Sequence, residues 1–195
     1  MSAANTSGET RREAIGAGLR IGGVLAAGSI PLASAAVAIA NPGSEADAPT
    51  LEKLIALAQT AAIVYSTIAA DEDLLDAEIV KAAELFADQE SEHVAALEAA
   101  LEDRGGEAPP PPKADQVDGL GALESQDDAL EFAVELENAL IAAFNDAAEK
   151  LTDPALLKTA VQISCNDAQH LAVLRQQLGD PAIPEAFETG QPAEA

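Results

Sequence analysis

The chain has 195 residues, enough for one compact domain and little more. Its 34 acidic residues outweigh 10 basic ones, for a net charge of −24. Nothing in it can neutralise a phosphate backbone, so nucleic acid and anionic membrane surfaces are excluded as partners of the folded part. Ala and Leu supply most of the apolar content, beside four Phe, one Tyr and no Trp, which favours closely packed helices over sheets. The single cysteine, Cys165, excludes an internal disulfide and a four-cysteine zinc site.

The first segment stands apart. Arg11 and Arg12 precede a mild Gly- and Ala-rich run from about Ile21 to Ala40, where Ala38-Ile39-Ala40 is the last of several small-x-small sites. Basic residues, an apolar run and small residues in that order predict a signal peptide over residues 1–40. The adjacent arginines point to the twin-arginine type; general secretory export, a retained anchor and a disordered arm are the alternatives. No cysteine lies near the end of the run, so a lipoprotein is excluded. The expectation is an exported protein, periplasmic or extracellular, with no stable membrane insertion once the signal is removed.

Four helices are predicted in the remainder. From Pro49 to about Ala70, the residues Leu51, Leu54, Ala58, Ala61, Tyr65 and Ile68 recur at steps of three and four. Acidic residues 71–73 can start a second helix, which continues to Arg104-Gly105-Gly106. Four consecutive prolines, Pro109 to Pro112, then forbid a helix. A third helix spans about Asp127 to Leu151. Thr152-Asp153-Pro154 starts a fourth, which Gly179-Asp180-Pro181 stops near Leu178. Short, long, short connections fit an all-α bundle over residues 49–180 with one long crossover between the second and third helices. Residues 181–195 form a tail, with Ile183 and Phe187 as its expected anchors on the bundle.

The inward stripes carry the chemistry. In the second helix the line Ile79, Ala82, Phe86, Glu90, His93, Leu97, Leu101 puts a carboxylate and a histidine where Leu belongs. The fourth helix repeats the pattern with Leu156, Ala160, Ile163, Asp167, His170, Leu174, Leu178. The third places Glu137 between apolar neighbours. The chain's only two histidines thus each follow a carboxylate by three residues on an apolar stripe. Burying three carboxylates without compensation costs several kcal/mol each. Divalent metal ions compensate them, since carboxylate and neutral imidazole suit iron and manganese. A buried hydrogen-bonded network and a wrong phase on one helix are the competing readings. Tyr65 is expected as a core aromatic with its hydroxyl bonded, a donor beside a metal being the alternative. Cys165 is expected as a small buried thiol, and Arg175 as a surface cap or pair.

On Glu90-Ser91-Glu92-His93, on Leu136 to Phe144 around Glu137, and on Asp167-Ala168-Gln169-His170, the chain resembles the ferritin-like superfamily. Within it, the chain resembles exported bacterial ferritin-like domain proteins of the desiccation-related type. The resemblance covers about residues 50–190. It implies an up-down-down-up four-helix bundle in which two helices each give one Glu and two give E-x-x-H to a pair of metals. Carried over, the metal ligands are Glu90, His93, Glu137, Asp167 and His170, with Asp167 one methylene shorter than the usual Glu. The first helix departs from the pattern. Around its middle it offers only Gln59, with Ala58 or Ala62 on the inward turns, and Glu52 lies too near the start. The resemblance implies iron, paired or single, with manganese as the alternative, and iron binding or iron- or peroxide-dependent oxidation. The rival expectation is a non-catalytic structural or stress-protective (desiccation) protein with a degenerate site. Expected partners are divalent metal ions and no nucleic acid, with a homodimer left open.

Overall fold

The computed structural model describes residues 45–71 and 73–191. The expected signal segment and the last four residues of the tail lie outside that range. Among the described residues there are four long helices and no strand: α1 Ala48–Ala69, α2 Ala77–Glu102, α3 Gln126–Ala148 and α4 Pro154–Leu178. The crossover between α2 and α3 carries two 3-10 turns, Ala114–Gln116 and Leu120–Ala122.

Side-chain contacts at the helix ends fix the directions. Asp47, just before α1, accepts from the Thr152 backbone at 2.9 Å and from the Asp153 backbone at 3.2 Å, just before α4. Arg104, just after α2, reaches the same Asp153 with Nη2 at 2.5 Å. At the far end the Asp76 backbone N–H, before α2, donates to Gln126 Oε1 at 2.7 Å, at the start of α3. So α1 and α4 run one way and α2 and α3 the other, and the crossover travels the length of the bundle. This is an up-down-down-up arrangement.

Local chemistry explains most boundaries. Asp153 caps α4 by accepting from the Ala155 N–H at 2.8 Å, with Pro154 in the first turn. Gly179 ends α4 at φ +83, and the Asp180 N–H returns to the Arg175 carbonyl at 2.9 Å. Ser125 caps α3 by accepting from the Asp128 N–H. The acidic stretch at 71–73, expected to open α2, does not. Asp71 turns its carboxylate onto the Asp73 N–H at 3.1 Å and its carbonyl accepts from Leu74, closing a turn instead of a helix. The helix begins four residues later.

The interior has two apolar layers. One, at the end where α1 and α4 begin, gathers Leu51, Leu54, Leu97, Leu101, Leu140 and Phe144. The other gathers Val64, Tyr65, Ile79, Phe86, Leu130 and Leu174. Each fully buried Leu or Phe contributes about 1.5–3 kcal/mol. α1 is apolar and long enough to cross a membrane by composition, yet half of it is buried inside the bundle. Its inward stripe is the expected one, from Leu51 to Ile68.

The tail is anchored differently from expectation. Ile183 and Phe187 are 81% and 82% exposed, so neither docks. Gly190 is buried at φ +72 instead, and a Cβ there would collide with the backbones of Asn138 and Ala142 on α3. Only glycine fits both the conformation and the approach. Arg175, expected at the surface, is buried and donates to Glu188 Oε2 at 2.7 Å. Cys165, expected buried, is exposed. On α4 it falls outside the stripe of Ile163, Asp167 and His170.

Candidate metal centre

Between the two apolar layers lies a polar one. Glu90 stands at the middle of α2, Glu137 at the middle of α3, and Asp167 and His170 near the middle of α4. All four are buried, the three carboxylates completely. The helical period delivers them there, since each continues a row of apolar residues on its own helix. One ligand atom from each lies within 4.8 Å of the others, a grouping that can hold a metal ion. His93 borders the group, its side chain 13% exposed, with Nδ1 3.3 Å from Glu90 Oε2 and 3.7 Å from Asp167 Oδ1. Four of the five residues expected from the sequence therefore share one group, and the fifth, His93, lies at its edge.

The contacts inside the group are unequal. His170 Nδ1 is 3.1 Å from Glu137 Oε1 and 3.6 Å from Glu90 Oε1, while its Nε2 lies 2.7 Å from Gln89 Oε1. The ring is stacked on Phe86, with centroids 3.9 Å apart and planes 24° apart. The Tyr65 hydroxyl donates to Glu137 Oε1 at 2.5 Å. Apart from protons shared between the carboxyls themselves, five of their oxygens receive no hydrogen bond: both of Glu90, both of Asp167 and Oε2 of Glu137. The Nδ1 of His93 is likewise unbonded.

Electrostatics follow from that crowding. Burial, then the charges of Glu90 and Glu137, push the Asp167 carboxyl up to about 10. Burial also raises Glu137, and the His170 ring beside it offsets part of the rise. The Tyr65 phenol is raised well above its ordinary value, first by burial and then by the Glu137 charge. Without a cation, then, the cluster holds on to protons at neutral pH.

Buried carboxylate oxygens without donors are rare because each forfeits its hydration. A divalent ion supplies the missing partner to several of them at once. Three carboxylates and imidazole nitrogen are a hard-to-borderline donor set of the kind that iron and manganese take. The residues present fit such an ion.

The first helix supplies no carboxylate to the group. Gln59 is buried but turned away from it, donating to Glu98 Oε1 at 3.1 Å and to the Pro109 carbonyl at 3.0 Å. It ties the proline-rich crossover to α1. What α1 brings to the site is Tyr65, from the turn beyond Ala58 and Ala61. The expected core aromatic is thus also the donor to a site carboxylate. Gln89 was not foreseen. Its only signal was a polar residue three places after the inward Phe86 and directly before Glu90.

A family model described as a ferritin-like domain matches residues 46–180, a span that contains all four helices and every residue of the polar layer. No curated protein matches the chain.

Proposed function

The chain belongs to the ferritin-like domain family, and we propose that its buried polar layer binds a divalent metal, iron or manganese. The convergence of five donor-free carboxylate oxygens with the His170 ring carries this reading. Glu90, Glu137, Asp167 and His170 form the principal ligand set, and His93 serves a second, weaker position through Glu90 and Asp167. When bound, iron or manganese would supply one-electron redox chemistry toward dioxygen or peroxide.

The chain's own residues prepare the place. Apolar layers on either side limit water, which strengthens each charge interaction in the group. Tyr65 holds Glu137 by its hydroxyl. Asp167 keeps a proton until a cation replaces it, so binding tightens as pH rises. Metal analysis after refolding with Fe²⁺ or Mn²⁺ tests the proposal. The wild type should retain metal that a His93→Ala/His170→Ala variant does not. Equal retention by both would refute it.

A second reading has its own observation. α1 gives the group the Tyr65 phenol and no carboxylate, so a charge that two metals would need is missing. A protein that binds metal without turnover, protecting structure under stress, fits that loss. Oxygen consumption on adding Fe²⁺ separates the two. Export, argued from Arg11-Arg12 and the apolar run to Ala40, is proposed with either reading. Its check is the N-terminal sequence of the protein recovered outside the cytoplasm.

A further inference from the structure

We propose that Gln89 is a positioning residue that selects which nitrogen of His170 faces the metal. The inference rests on the metal-binding reading above and adds to it the tautomer and the residue that sets it. His170 Nε2 is 2.7 Å from Gln89 Oε1, on the side of the ring away from the carboxylates. Nδ1 is on the other side, 3.1 Å from Glu137 and 3.6 Å from Glu90. An amide oxygen only accepts, so a ring nitrogen facing it carries the proton. With Nε2–H donated to Gln89, Nδ1 is the nitrogen left to ligate: it shares a proton with Glu137 until a cation takes that proton's place. Were the amide reversed, Nε2 would accept and Nδ1 would have to keep its proton, an arrangement that cannot ligate.

Phe86 completes the clamp. It lies one turn before Gln89 on α2 and stacks on the face of the same ring. Phe86 and Gln89 thus hold the histidine of α4, while Glu90 and His93 of the same helix face the ligand group. A carboxylate at position 89 would orient the ring equally well but would add a fourth negative charge close to the cluster. Glutamine gives orientation without that charge. Among the described residues His93 has no such partner, and its Nδ1 is unbonded. The clamp serves one histidine only.

The test uses Gln89→Met, which removes the acceptor at similar volume, and Gln89→Glu, which keeps it. Anaerobic Mn²⁺ titration of the refolded full chain should show affinity falling about 10–100-fold in Gln89→Met, the usual loss when the partner of a ligating histidine is removed. Gln89→Glu, which keeps the acceptor and adds a charge, should bind Mn²⁺ at least as tightly as wild type, and the far-UV circular dichroism of the metal-free proteins should coincide. In Zn²⁺-loaded wild type, ¹⁵N imidazole shifts should show His170 coordinated through Nδ1 and protonated at Nε2. Coordination through Nε2, or Mn²⁺ affinity in Gln89→Met equal to wild type, would overturn the positioning role while leaving the metal site standing. If wild type binds neither Mn²⁺ nor Zn²⁺, the site reading and this inference fall together.

Discussion

Two pairs in this molecule share a spacing and differ in surroundings. Glu90 and His93 on α2, and Asp167 and His170 on α4, are each three residues apart and face the same interior. His170 is buried, stacked on Phe86, and in contact with both Gln89 and Glu137. His93 is partly exposed and its Nδ1 makes no hydrogen bond. Equal spacing therefore gives one histidine locked into the core and another left adjustable. The difference arises from the partner helices: α2 supplies Phe86 and Gln89 to α4, and α4 returns only a carboxylate to His93.

Deleting each ring in turn measures how far the two histidines differ. His170→Ala should destabilise the metal-free protein by about 3 kcal/mol, through a cavity beside Phe86 and the loss of the ring's contacts with Glu137 and Gln89. Urea unfolding of the variant measures it. Asp167 comes next. Its folded pKa, about 10, stands above the ordinary carboxyl value of 3.8. Between those values the native state binds more protons than the unfolded chain, so metal-free stability falls as pH rises. Glu137, also raised, adds slope of the same sign. Asp167→Asn should flatten the slope and stabilise the metal-free protein at pH 8 by about 2 kcal/mol, with little effect near pH 4. Thermal midpoints across that range decide the point, and an unchanged slope would mean that Asp167 is not the strained member of its pair.

Smaller effects sharpen the same contrast. Tyr65→Phe removes the hydroxyl from Glu137 and should cost about 1–2 kcal/mol in denaturant unfolding, more than any phenol bonded only to water would cost. His93→Ala should cost less in the metal-free state than His170→Ala, since its Nδ1 makes no hydrogen bond to lose. A cost for His93→Ala matching that of His170→Ala would erase the asymmetry.

The helices and the inward carboxylates were legible because burial follows the helical period. Glu90, Glu137, Asp167 and His170 could be counted along their own helices without knowledge of the others. Partnerships across helices were not legible in that way. Gln89 meets His170 only through the register between α2 and α4, and the hydroxyl of Tyr65 finds Glu137 only through the placement of α1 against α3. The tail misled for a related reason. Ile183 and Phe187 are the apolar residues there, but docking depends on the backbone approach at Gly190 and on the Arg175–Glu188 pair. Cys165 misled because small size suggests burial, while its position on α4 exposes it. The acidic stretch at 71–73 carried good helix-start residues, and the Asp71 side chain spent itself on a turn.

The proposed divalent ion in the polar layer is open to direct observation by anomalous diffraction at the manganese edge, from crystals grown with Mn²⁺. A peak among Glu90, Glu137, Asp167 and His170, bonded to His170 through Nδ1, is expected. A silent interior, with anomalous signal only on the acidic surface, would refute the site.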